Sequence, residues 1–167
     1  MFVYQARAAG SAVIVLNTAN RVAGQLSSDW QIKVNHGRPE ISVCNEGQGG
    51  EPCLHLASTD DQAAQVLVAF ADRRIITYLW DSTAPKGAMQ SSSEIPLVHI
   101  FAVVCQSGAA EANRWVAENH NVAADYQRAY GKTAPHVKGL RLQINSQHTG
   151  TIAESYFGEV AFRSAPR

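Results

Sequence analysis

Ala63-Ala64-Gln65-Val66-Leu67-Val68-Ala69-Phe70-Ala71-Asp72-Arg73-Arg74-Ile75-Ile76-Thr77-Tyr78-Leu79-Trp80-Asp81 carries two short apolar runs on either side of the polar pair Asp72-Arg73. Runs of this length, rich in β-branched and aromatic residues and bounded by turn formers, predict two strands joined by a hairpin. Successive side chains of a strand point to opposite faces. In 63–70, Val66, Val68 and Phe70 therefore share one face, and Gln65 and Leu67 share the other. In 75–80 both faces are apolar, so Ile76, Tyr78 and Trp80 line up either in a core or on an aromatic strip open to a ligand.

Outward from this hairpin, short apolar runs separated by Gly, Pro, Asn, Asp and Ser recur over 12–16, 30–34, 40–44, 53–57, 97–105, 140–145 and 155–163. That spacing predicts an all-β chain of about eight to ten strands in two sheets, with jelly-roll-like sandwich architecture, rather than alternating strand and helix. Segment 121–130 is the exception: Val122, Tyr126 and Tyr130 recur every four residues, Asn121 is placed to cap the start, and Gly131 and Pro135 end the run. It predicts one short helix. In 140–145, Leu140, Leu142 and Ile144 point inward, leaving Arg141, Gln143 and Asn145 on an outer row. Residues 1–25 read as an unplaced N-terminal arm or edge strand, and 26–167 as a single domain.

A chain of 167 residues is long enough to bury roughly 70% of the surface its unfolded form exposes. Apolar residues make up 46% and charged residues 17%, which is an ordinary globular balance. Lys plus Arg and Asp plus Glu number 14 each, so no net field favours nucleic acid or an anionic bilayer, and neither is an expected partner. Residues 1–10 lack the basic start and apolar core of a secretory signal, and no run approaches the ~20 apolar residues of a membrane helix. The expectation is a soluble chain, cytoplasmic or already processed.

The three cysteines, Cys44, Cys53 and Cys105, form no CxxC pair, which argues against a zinc knuckle or a thioredoxin-type site. Cys44 and Cys53 flank the glycine-rich turn Gly47-Gln48-Gly49-Gly50; the favoured reading is free, half-buried thiols, and the alternative is a cross-hairpin disulfide in an oxidising compartment. The six histidines, His36, His55, His99, His120, His136 and His148, show no metal-ligand spacing, and His148, in a loop just before Glu154, is the one that stands out. Asp60-Asp61 reads as a turn, with structural calcium as the alternative. No cofactor is expected.

The series Ile76-Thr77-Tyr78-Leu79-Trp80-Asp81, Ala84-Pro85-Lys86-Gly87, Arg114-Trp115-Val116-Ala117-Glu118, Asn121-Val122 and Asp125-Tyr126, followed by Gly139-Leu140, His148-Thr149-Gly150 and Glu154 to Val160, resembles the uncharacterised bacterial family catalogued as domain of unknown function 3047. The resemblance spans about residues 60–163. It implies a β-sandwich, often exported, with no assigned activity. Two departures stand out. Leu56-Ala57-Ser58 runs almost directly into Asp60-Asp61, where members carry further strands, so a sheet edge is left for the N-terminal arm or for a second copy of the chain to cover. The export signal expected of the family is also missing, and residues 1–25 resemble nothing placed.

Tyr78 and Trp80, taken with Gln65 and the row Arg141, Gln143 and Asn145, have the composition of a sugar-binding sheet face like that of galactose-binding or carbohydrate-binding modules. Aromatic rings stack on sugar rings, and amides and guanidinium bond hydroxyl pairs. Asp81, His148 and Glu154 complete the candidate ligand-binding set. The reading is a non-catalytic module for a carbohydrate or similar small polar ligand, against a core role for the aromatics. A structural or interaction domain forming a homo-oligomer through a sheet edge is one alternative. A glycoside-type hydrolase is the other, using paired carboxylates from Asp61, Asp81, Glu118 or Glu154.

Overall fold

A computed structural model describes residues 2–5, 13–16, 40–58, 64–91, 98–144 and 153–162. It is all-β, two sheets with one short helix. Chain contacts group into two compact units, 1–62 with 113–119 and 144–167, and 63–112 with 120–143. The expected strand at 30–34, the Asp60-Asp61 turn, Asn145 and His148 lie outside the described residues. Among the described residues, no helix is long and apolar enough to cross a membrane.

The first unit is built on β1 (Phe2–Gln5), β2 (Val13–Leu16), β3 (Glu40–Cys44), β4 (Cys53–Ser58), β9 (Val116–Glu118) and β11 (Ala153–Phe162). These strands run in the order β3-β4-β11-β1-β9, with β2 also pairing β11. Residues 2–5 and 13–16 of the N-terminal segment are part of this sheet: β1 lies parallel to both β11 and β9, and β2 is antiparallel to β11. Leu54, Leu56, Phe157 and Val160 are among its buried apolar residues.

β3 and β4 pair with Cys44 directly opposite Cys53, so the glycine-rich segment between them is the hairpin connection the sequence predicts. Gly47 closes it, donating its N–H to Glu51 O at 2.8 Å and accepting from Gly50 N at 2.9 Å. A Cβ on Gly47 would stand 2.2 Å from that same Glu51 oxygen. Gly47→Ala must therefore displace backbone, and urea unfolding should show a loss of about 1–3 kcal/mol, the range for a forced overpacking. Loss of stability no greater than that of an exposed Ala→Ser control would show that the turn relaxes freely.

The second unit holds β5 (Ala64–Phe70), β6 (Arg74–Asp81), β7 (Met89–Ser91), β8 (His99–Ser107) and β10 (Val137–Ile144), in the order β10-β5-β6-β8-β7. The β5–β6 hairpin forms as read, turning at Arg73, whose φ is 67°. β6 and β8 pair in parallel, and the register slips between Leu79 and Trp80: Leu79 faces Val104 and Trp80 faces Gln106. The residue stepped over is Cys105. Such a bulge re-aims a side chain out of the regular ladder.

Helix α1 (Val122–Tyr130) begins where Asn121 accepts from Ala124 N at 3.1 Å and ends where Gly131, at φ 66°, donates to Gln127 O. Both caps satisfy backbone groups that the helix itself leaves open. The helix packs its tyrosines on the sheet. Tyr126 lies 4.6 Å from the Phe70 ring and Tyr130 5.9 Å from that of Phe101. The Tyr130 hydroxyl donates to Ile75 O at 2.7 Å and lies 2.9 Å from His99 O, and burial pushes its pKa up to about 12.

Candidate functional site

Residues directly opposite on paired strands share a face. Val66 stands opposite Tyr78 and Val68 opposite Ile76, while Gln65 stands opposite Leu79. Tyr78 and Trp80, two apart on β6, therefore share the face that bears the helix, and Gln65 lies on the reverse face. The structure separates what the sequence had grouped: the aromatic pair and the polar row occupy opposite faces of one sheet.

Tyr78 is fully buried, so of the two readings open to it the core role is the one observed. Its hydroxyl donates to Asp125 Oδ2 at 2.8 Å. Burial, followed by the Asp125 charge, drives its pKa far above the ordinary phenol range. Trp80 is half-buried and its indole N–H donates to Gly108 O at 2.8 Å. Asp81 accepts from Ala84 N at 2.7 Å and from Thr83 N at 2.8 Å, and those two amides hold its carboxyl below the usual range. This Asp81 fixes the turn leading into Pro85. Glu118 is buried at the end of β9, and Glu154 is exposed on β11 in the first unit.

The polar row is real where it is described. Gln143 on β10 donates to Gln65 Oε1 at 2.8 Å, and Arg141 Nη1 lies 3.4 Å from Gln143 Oε1. Gln65 is buried, Gln143 half-buried and Arg141 exposed, so the row climbs from the interior to solvent. Each amide is oriented by its neighbour, with the guanidinium at the outer end.

A second polar array sits on the helix-bearing face. Cys105 Sγ lies 3.3 Å from His120 Nε2, and His120 Nδ1 lies 3.8 Å from Asp125 Oδ2. The His120 ring tilts over Tyr78 with centroids 4.4 Å apart. Asp125, 4% exposed, takes Tyr78 on one oxygen and Arg128 on the other, which offsets the cost of burying its charge. These residues come from β6, β8, the segment before α1 and α1 itself. Sequence reading passed over Cys105 and His120 because they are fifteen positions apart with no repeat or motif spacing between them. Of the array, Tyr78 and Asp125 lie within the motifs that carry the family resemblance.

In the first unit the three-cysteine question receives a geometric answer. Cys44 and Cys53 are free thiols with Sγ atoms 3.1 Å apart. Burial and the hydrogen bond with Cys44 push the Cys53 pKa up to about 12. Thiolate is the reactive form. At pH 8 iodoacetamide should therefore label Cys44 and leave Cys53 protected until the chain is unfolded, as peptide mass spectrometry would show; equal labelling of the two in the folded protein would contradict this. Nearby, the rings of His55 and Tyr156 stack at 4.5 Å. Trp115 is half-buried and donates its indole N–H to Glu46 O at 3.2 Å.

Residues 53–161 match the model of a family described as protein of unknown function, DUF3047. No curated protein and no solved structure matches the chain.

Proposed function

We propose, from the premise that this chain belongs to the DUF3047 family of proteins of unknown function, that it is a non-catalytic binding domain for a carbohydrate or similar polyhydroxylated ligand. The observation that carries this reading is the oriented row Gln65, Gln143 and Arg141. Planar amides and a guanidinium held in fixed directions suit pairs of ligand hydroxyls, and pre-orientation lowers the entropy lost on binding. The aromatic stacking partners expected from the sequence are not part of this reading, since Tyr78 has no exposed face and Trp80 lies on the opposite face of the sheet from Gln65. Asp81, whose Oδ1 is committed to a turn and whose carboxyl is held ionised, does not suit the acid of a glycosidase.

The test is a glycan array followed by calorimetry on the best binder, with Gln143→Ala, Arg141→Ala and Tyr78→Phe compared. Loss of affinity of tenfold or more in the first two, with Tyr78→Phe unchanged, is the expected result. An array without a hit, or a hit indifferent to both row variants, would remove the proposal.

A further inference from the structure

The array at Cys105 belongs to none of these roles, and we infer that Cys105 and His120 form a binding site for a thiophilic divalent metal ion of the zinc class. The donor set is soft sulfur plus imidazole nitrogen, which suits zinc better than magnesium or calcium. The spacing also suits it. Bonds of about 2.3 Å to sulfur and about 2.0–2.1 Å to nitrogen at a tetrahedral angle put the two donor atoms about 3.6 Å apart; Cys105 Sγ and His120 Nε2 stand 3.3 Å apart. A small rotation of either side chain admits the ion between them.

Three further observations point the same way. The parallel register of β6 and β8 steps over Cys105, leaving that residue out of the regular ladder. On the far side of the imidazole, Asp125 Oδ2 lies 3.8 Å from Nδ1, which is the order carboxylate, imidazole, metal that fixes a ligand histidine's tautomer and ring direction. The carboxylate charge favours the proton on Nδ1, which makes Nε2, the nitrogen facing Cys105 Sγ, the donor atom to the ion. Asp125 is itself positioned by Tyr78 and Arg128. Cys105 and His120 both belong to the second unit, where a bound ion would tie β8 to the start of α1.

Binding needs no oxidant or reductant. The thiol proton passes to solvent, and the thiolate sulfur and the imidazole nitrogen each bind by displacing water from the hydrated ion, which is released to solvent. Tetrahedral coordination leaves two positions for water or for a donor atom of a ligand.

Cobalt(II), the spectroscopic stand-in for zinc, tests the site on the full chain. Titration should give a thiolate-to-cobalt charge-transfer band that saturates at one equivalent and is displaced by zinc. The band should persist in Cys44→Ser, vanish in Cys105→Ser, and require at least tenfold more cobalt in His120→Gln. Asp125→Asn, acting through the imidazole, should weaken binding about 10- to 100-fold. Circular dichroism reports whether each variant is folded. A measurement free of variants accompanies it: calorimetry on the wild-type chain should show zinc binding that saturates at one equivalent with release of a proton. A band that survives Cys105→Ser, or the absence of a saturating band or of zinc binding at one equivalent, would each overturn the assignment.

Discussion

Tyr78→Ala should cost about 3–5 kcal/mol of stability, the range for deleting a large buried aromatic side chain. The ring is completely enclosed at the centre of β6, between Val66 on β5 and Val103 on β8, and under His120. Its removal opens a cavity that neighbouring strands cannot fill without breaking ladder hydrogen bonds. It also takes the hydroxyl from Asp125, whose carboxylate sits in the interior. Tyr78→Phe separates the two effects. It keeps the packing and deletes only the hydrogen bond, so its loss should be about 1–3 kcal/mol. Urea unfolding monitored by fluorescence distinguishes them. If Tyr78→Ala cost no more than Tyr78→Phe, the core role argued for this ring would be wrong.

Tyr126→Ala should be comparably severe, about 3–5 kcal/mol, and its signature should be loss of the helix from the sheet. Tyr126 is also fully buried, packs on Phe70 and Tyr130, and donates its hydroxyl to Asp72 Oδ2 in the turn between β5 and β6. Arg74 donates to both Asp72 and the Tyr126 oxygen, so one side chain ties helix, turn and strand together. Burial raises the Asp72 pKa, but the bonds from Tyr126 and Arg74 outweigh it and leave the carboxyl below its usual range. By contrast Asn121→Ala, which removes only an end cap, should cost about 1 kcal/mol. Amide hydrogen exchange along 122–130 reads both variants. Rapid exchange in Asn121→Ala with full protection in Tyr126→Ala would reverse the assignment of what holds the helix.

The sequence was most informative where local rules suffice. The helix at 121–130 was legible from cap, four-residue spacing and terminal glycine, because these act within one or two turns of chain. The hairpin 64–81 was legible from strand length, alternation and turn residues, and even its face assignment of Val66, Val68 and Phe70 follows from the two-residue period. Family membership was legible too, in an ordered set of short motifs. The small strands Phe2–Gln5, Met89–Ser91 and Val116–Glu118 were not. Three or four residues carry too little periodicity, and each is a strand only because a longer partner supplies its hydrogen bonds.

The candidate sites divide the same way. That Gln143 and Arg141 share an outer row follows from alternation within one strand. Whether Trp80 joins that row depends on which neighbour stands opposite Gln65, and the pairing of Gln65 with Leu79 puts the indole on the other face. A shift of one residue would have reversed this, since the side-chain period is two. Nor does any spacing announce that Cys105 meets His120: a parallel crossover, a register slip and a helix start bring them together. By itself, then, the sequence determined an all-β chain with one capped helix and its family, because hydrophobic period and turn chemistry are local. The partners of Tyr78, Gln65 and Cys105 were decided by the tertiary structure, because strand register and crossovers are set by the packing of segments far apart in the chain.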